Sequence, residues 1–263
     1  MTLGISLITK EGVILAADKR ATYGDPRGLT TINDRVEKIY ALSDHCGLAI
    51  SGDAGLGGSI IDALNMQLHN TENKDKYKSF SVDEMAEKLQ QNAIKKYDEW
   101  FPLPKFKLDE RPGLSLMLSG YRRNLDSSEL TNQPLIFTFN SYYNFAPHRD
   151  VTGFMTIGIT HFAMYLLNTL YEKDISLTQA AELATFCILE TASQSGVVGT
   201  DISIGSFSWK DPFRFHKNEE IELYRKKAHE RKDKLRISFY SSTPPETVEI
   251  EKQILTEEKG ELI

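Results

Sequence analysis

Residues 1–22 read MTLGISLITKEGVILAADKRAT, and this stretch decides the fold. Residues 2–8 are apolar at most positions and predict a strand; residues 13–17, VILAA, predict a second. Between them Thr9-Lys10-Glu11-Gly12 is a polar turn ending in glycine, so the strands form an antiparallel hairpin. Pairing across that turn makes facing positions sum to about 20 or 21, which sets Thr2 opposite Asp18 or Lys19. The open end of the hairpin brings the beginning of the chain beside a carboxylate. Met1 precedes a small residue, and its removal by a methionine aminopeptidase is expected. Thr2 would then carry a free amine and a hydroxyl on one residue, a nucleophile–base pair.

Both faces of the first hairpin are apolar or small: Leu3, Ile5 and Leu7 on one, Gly4, Ser6 and Ile8 on the other. Such a sheet needs a layer on each side. Residues 23–35, rich in Gly, Asp, Asn and Pro, read as a loop; 36–42 and 47–51 read as a strand pair, with Lys38 inside the first. The glycine-rich run SGDAGLGGS, residues 51–59, precedes a helix expected over 58–69. Capping boxes at Ser81–Glu84 and Ser176–Gln179 open helices to about residues 100 and 193, the second with Gly196 as its stop. A further helix is expected over 160–171, and strands over 113–120, 134–142, 151–157, 200–207 and 235–240. Residues 213–232 read as a charged helix. With no repeat or linker, residues 1–240 read as a single domain and 241–263 as an acidic tail. Packing two antiparallel sheets together with helix pairs outside each satisfies every apolar face: an α+β, four-layer α-β-β-α sandwich.

The chain has 263 residues, 40% hydrophobic and 26% charged, with a net charge of −6 that argues against a nucleic-acid or membrane-surface binder. No apolar run is long enough to span a membrane and no signal peptide is evident, so a cytoplasmic location is expected. Cys46 and Cys187 sit in apolar runs and read as reduced core residues. They cannot make a zinc site alone, and the histidines lack H-x-x-x-H spacing; no metal and no organic cofactor is called for.

Three segments, MTLGISLITKEGVILAADKRAT, VEKIYAL and GLAISGDAGL, resemble the front of proteasome β-type subunits, the N-terminal-threonine branch of the N-terminal-nucleophile (Ntn) hydrolases. The likeness covers residues 2–70 well and 113–208 loosely. It implies that Thr2 is the nucleophile, with its amine as base, cleaving peptide or amide bonds through an acyl-enzyme. Lys38 would steady the alkoxide, Asp18 would pair with Lys38, and Arg20 would brace the cluster. Gly52 would lend its N–H to the oxyanion. Ala21, Thr22, Val36, Ile50 and Ala54 would shape an apolar pocket for the residue before the cut. Peptide or protein substrates, a homo-oligomeric ring, and an ATP-dependent unfoldase or activator are the partners it implies. No helix-forming stretch precedes the first strand in this sequence, the pattern expected of β-type rather than α-type subunits.

The chain also departs from the family's pattern. The segment between Asp18 and Lys38 is about four residues longer than usual. Where the family has Gly-Ser-Gly this chain has Gly158-Ile159-Thr160, leaving Thr160 to stand in for the serine. Ser195 matches, but Ala192 replaces an aspartate. Two alternatives on the same fold follow: an inactive ring subunit, or an acyl transferase or peptide ligase in which an amine resolves the acyl-enzyme. A nucleotide-binding α/β domain is a more distant alternative, because residues 51–59 lack G-x-G-x-x-G and Gly-Lys-Ser/Thr spacing.

Overall fold

The computed structural model describes residues 2–24, 30–69, 80–102, 106, 110–123 and 130–240. Strands β1 (Leu3–Ile8) and β2 (Val13–Asp18) form the expected hairpin. Gly4 faces Ala17 and Ile8 faces Val13, the upper of the two expected registers. The Thr9 N–H and hydroxyl both donate to the Gly12 carbonyl, at 2.8 and 3.0 Å. Position 12 admits only glycine, since a Cβ there would lie 2.4 Å from the Phe207 carbonyl oxygen.

Residues 23–35 are not simply a loop: β3 (Ala21–Gly24) and β4 (Thr30–Asn33) pair as a separate two-stranded sheet. The next strand, β5 (Ile39–Ser43), starts after Lys38 rather than around it. The Val36 N–H is taken by the Lys19 carbonyl at 3.0 Å, so this segment is tied to the first hairpin before the strand begins. β6 (Cys46–Gly52) follows, then helix α1 (Ala54–His69), which starts earlier than the glycine-rich run suggests. The Asp53 carboxylate accepts the Leu56 N–H at 2.8 Å and nucleates that first turn. Helix α2 (Val82–Trp100) carries its capping box at Ser81 and Glu84. Strands β7 (Leu114–Arg123), β8 (Leu130–Asn140), β9 (His148–Arg149) and β10 (Phe154–Gly158) come next. Helices α3 (His161–Leu170) and α4 (Leu177–Gln194) precede β11 (Ile202–Phe207) and β12 (Arg214–Phe215). Helix α4 does stop before Gly196, but through extended Ser195 (φ −138°), not a left-handed glycine. Helix α5 spans Asn218–Tyr240, so residues 235–240 continue a helix and are not a strand. The acidic tail at 241–263 lies outside the described residues.

One five-stranded sheet has the order β10-β1-β2-β11-β12 and the other β5-β6-β7-β8-β9, with antiparallel pairing throughout. Alternation along β1 shows why both its faces are buried. Leu3, Ile5 and Leu7 pack with α3, α4 and α5, burying side chains worth about 1.5–3 kcal/mol each. Val13, Leu15 and Ala17 join Ala49, Met117, Tyr121 and Ile136 of the other sheet in a second cluster. Ser6 and Ser119 share a hydroxyl–hydroxyl hydrogen bond of 2.7 Å across the same gap. A third cluster buries the far face of the second sheet under α1 and α2. The fold is thus α+β, with antiparallel sheets flanked by helices.

Candidate active site

Asp18 ends β2 and is fully buried. Its Oδ1 accepts the Leu3 N–H at 2.8 Å. Its Oδ2 accepts the Arg20 and Gly199 N–H groups, both at 3.0 Å, and the Lys38 ammonium at 3.1 Å. Lys38 is 6% exposed and donates also to the Arg20 carbonyl at 2.5 Å. Burial pulls the Lys38 pKa below the ordinary lysine value, and the Asp18 charge and hydrogen bond oppose that fall.

Arg20 joins this cluster through its backbone N–H to Asp18 and its carbonyl to Lys38, and its side chain finds partners the sequence does not reveal. Its Nε and Nη2 grip both oxygens of Asp34 at 2.6 and 3.0 Å, and its Nη1 reaches the Gly196 carbonyl at 3.0 Å. The hydrogen bond with Asp34 raises the arginine's pKa and lowers that of Asp34. Nothing in the spacing of Asp34 marks it, because its partner sits across a chain reversal.

A cavity of about 390 Å³ is lined by Thr2, Lys38 and Gly52, with Ala21, Thr22, Val36, Ile50 and Ala54 in its walls. Every residue assigned to the pocket from sequence lies there. Glu37, Asp53, Tyr23 and Tyr40 line it too, so the cavity is more polar than expected. The Glu37 carboxylate is engaged by Lys19 at 2.5 Å and Ser203 at 2.6 Å, while Asp53 caps α1. Because that cap occupies first-turn N–H capacity with a carboxylate, the glycine-rich run is not an open phosphate cradle. Gly52 has φ +121°, and a Cβ would fall 2.1 Å from the Gly113 carbonyl oxygen, so the β6-to-α1 corner requires glycine.

Two supporting residues are not among those lining the first cavity. Thr160 precedes α3 without capping it and lines a different cavity. The contact to Thr2 from this segment is made by backbone: the Ile159 N–H donates to the Thr2 carbonyl at 2.8 Å. Ser195 is not in the wall of the first cavity; its turn reaches the Asp18 cluster through the backbones of Gly196 and Gly199. Among the described residues no group of His, Cys, Asp and Glu is arranged to hold a metal. No helix of the described residues is long and apolar enough to cross a membrane.

A hydroxyl, a buried ammonium held by a carboxylate, and a tight backbone corner around one cavity are the groups that acyl chemistry employs. Residues 2–103 match the family model of the proteasome subunit. A proteasome subunit beta of Methanococcus maripaludis (strain C5) is 21% identical over 233 residues, covering 88% of this chain and 94% of the relative. Proteasome subunit beta 2 of Saccharolobus solfataricus (strain P2) is 23% identical over 223 residues, covering 85% and 91%. Among solved structures, an Anbu (Gly-1) mutant from Hyphomicrobium sp. strain MC1 superposes with a TM-score of 0.69 at 17% identity, covering 93% of this chain and 99% of that one. Anbu from Yersinia bercovieri, described as an ancestral beta-subunit, superposes with a TM-score of 0.68 at 15% identity over 92% and 98%. These structures share the fold. The family match over residues 2–103 and the near-full-length relatives support a proteasome β-like Ntn hydrolase family for this chain.

Proposed function

We propose that the chain is an N-terminal-threonine hydrolase that cleaves peptide or amide bonds through an acyl-enzyme on Thr2. Removal of Met1 frees an α-amine whose intrinsic pKa of about 8 suits a general base near neutral pH. The amine takes the Oγ1 proton, directly or through a water. Oγ1 attacks the carbonyl carbon, the C–N bond breaks, and the proton passes to the leaving amine. Water then cleaves the ester and restores Thr2. Lys38 opposes the developing negative charge on the threonine oxygen, and Asp18 keeps Lys38 cationic and aimed. Arg20 fixes the loop that carries the Lys38 acceptor. The Gly52 N–H serves the oxyanion, a contribution of about 10²–10³ in rate. Residues 1–240 act as a single domain stacked α-β-β-α, with 241–263 as a separate tail. Copies assemble into a ring in the cytoplasm.

One observation carries this reading: Thr2, Lys38 and Gly52 line the same cavity, while Asp18 holds Lys38 from behind it. The test is turnover of fluorogenic peptides by Thr2→Ala. Activity falls to background while the circular dichroism spectrum and melting curve stay as in the parent; retained turnover sinks the mechanism. A second reading, an inactive ring subunit, has its own support. Ile159 and Ala192, standing where the family carries polar groups, pack against the apolar cluster behind β1.

A further inference from the structure

Helix α5 is packed on the body through its first half only. Its buried residues are Ile221, Tyr224 and Ala228, whereas every residue from His229 to Tyr240 is exposed. Charge ties that second half to α4: the Glu182 carboxylate takes Lys227 and Arg231, and Glu190 takes Lys232 at 2.8 Å. Yet the helix closes on large apolar side chains. Leu235, Ile237, Phe239 and Tyr240 keep between 55% and 85% of their surface in water. Apolar groups gathered on one exposed element mark a surface that something covers.

Beside this stretch lies an apolar groove of about 300 Å³. Leu170, which ends α3, lines it together with Ile175, with Leu183 and Phe186 of α4, and with Arg231 and Leu235 of α5. Ile175 and Leu183 also belong to the apolar cluster behind β1, so the groove opens onto the core. Phe239 follows Leu235 by one turn on the same helix face and carries the apolar surface on toward the helix end. Lys234 and Arg236 flank Leu235 and take no acidic partner among the described residues. The site therefore asks for an occupant that is apolar in the middle and acidic at its edges. Residues 241–263 have that chemistry. They carry six glutamates and two lysines, and within 246–255, ETVEIEKQIL, the apolar Val248 and Ile250 alternate with Glu249 and Glu251. Pro244 and Pro245 are of the kind at which a helix stops and a chain can reverse. From Tyr240 back to Leu235 is about 7.5 Å along the helix axis. The chain from 240 to 250 can extend about 33 Å, so Ile250 has reach to spare.

We propose that residues 246–255 fold back along α5 and dock in this groove of their own chain. Ile250 fills the space between Leu170, Phe186 and Leu235, and Val248 covers Phe239. Glu249 and Glu251 meet Lys234 and Arg236 at the two edges. The docked segment removes the end of α5 from water and closes the core edge left open between α3, α4 and α5. This inference is independent of the Thr2 chemistry, since the groove lies on the helices and shares no residue with the first cavity.

The test uses the full chain and two measurements. In the first, p-benzoylphenylalanine takes the place of Ile250, the protein is irradiated and the adducts are mapped. Adducts are expected within residues 170–186 or 231–239, in a product that runs as a single chain on a denaturing gel. Adducts joining two chains overturn the proposal in favour of a neighbouring copy as the donor; adducts elsewhere, or none, overturn it outright. Lys234→Glu combined with Arg236→Glu, both exposed positions, should lower the adduct yield about threefold, the scale of surface charge pairs; an unchanged yield overturns the charge match. The second measurement carries no photoprobe. Val248→Asp combined with Ile250→Asp should speed amide hydrogen exchange across residues 229–240 by about tenfold, because the uncovered helix end opens more often. Exchange in residues 3–18 should stay as in the parent. Equal exchange of residues 229–240 in parent and variant overturns the proposal.

Discussion

Asp18 accepts four hydrogen bonds in a site closed to water, from three backbone N–H groups and one ammonium. Asp18→Ala strands all four donors and leaves Lys38 a buried, unpaired cation. Breaking such a pair costs about 3–5 kcal/mol, so urea unfolding should shift by that amount; a shift under 1 kcal/mol would contradict the network. Asp18 was legible in the sequence because the hairpin turn counts residues: once Gly12 closes it, the carboxylate must lie beside Thr2; Lys38 was legible only through the family resemblance. Asp34 and Glu37 were not legible. Their partners, Arg20 and Lys19 with Ser203, come from other elements, and no local period connects them. The backbone contact from the Thr160 segment to Thr2 is made by Ile159, which no side chain announces in the sequence.

Helix α5 is where the element reading failed and where a pH effect should appear. Leu235–Tyr240 alternates in a way that suits a strand, yet these residues find no sheet edge and extend the helix through its own hydrogen bonds. Short apolar runs are ambiguous without tertiary partners. At the other end, β12 and the first turns of α5 meet at His216. Its Nε2 contacts the Ser206 hydroxyl at 2.9 Å and its Nδ1 the Tyr224 hydroxyl at 3.1 Å; Glu220 lies 4.0 Å away. Burial, helped by Arg214 and opposed by Glu220, pulls its pKa down to about 4. The folded state therefore prefers neutral histidine. The stability this residue contributes is present above the unfolded value of 6.5 and is lost as pH falls toward 4, by up to about 3 kcal/mol. His216→Gln should flatten the melting temperature against pH between 7 and 4; an unchanged slope would remove His216 as the cause. Helix α5 is held further along by the buried Glu182 carboxylate, which takes Lys227 at 2.5 Å and Arg231 beside it.

At the scale of the molecule, the two sheets and their helical flanks follow from one fact readable at the outset, that β1 buries both of its faces. The sheets' inner contact, the pairing of β1 with β10 and the cavity that Thr160 lines are long-range consequences that no single segment contains. If copies form a ring, light scattering at micromolar concentration will report a mass several times that of the 29.8 kDa chain, and a monomer would contradict assembly. The central claim is that Thr2 becomes an activated nucleophile, and intact mass before and after treatment with a peptide epoxyketone or β-lactone tests it most directly. Cys46 and Cys187 will not confuse the result, since burial pushes both thiols up to about 12. The account predicts an untreated mass lacking Met1 and, after treatment, a single adduct that maps to Thr2 and is absent from Thr2→Ala. Met1 retained, or Met1 removed with no adduct, would contradict it.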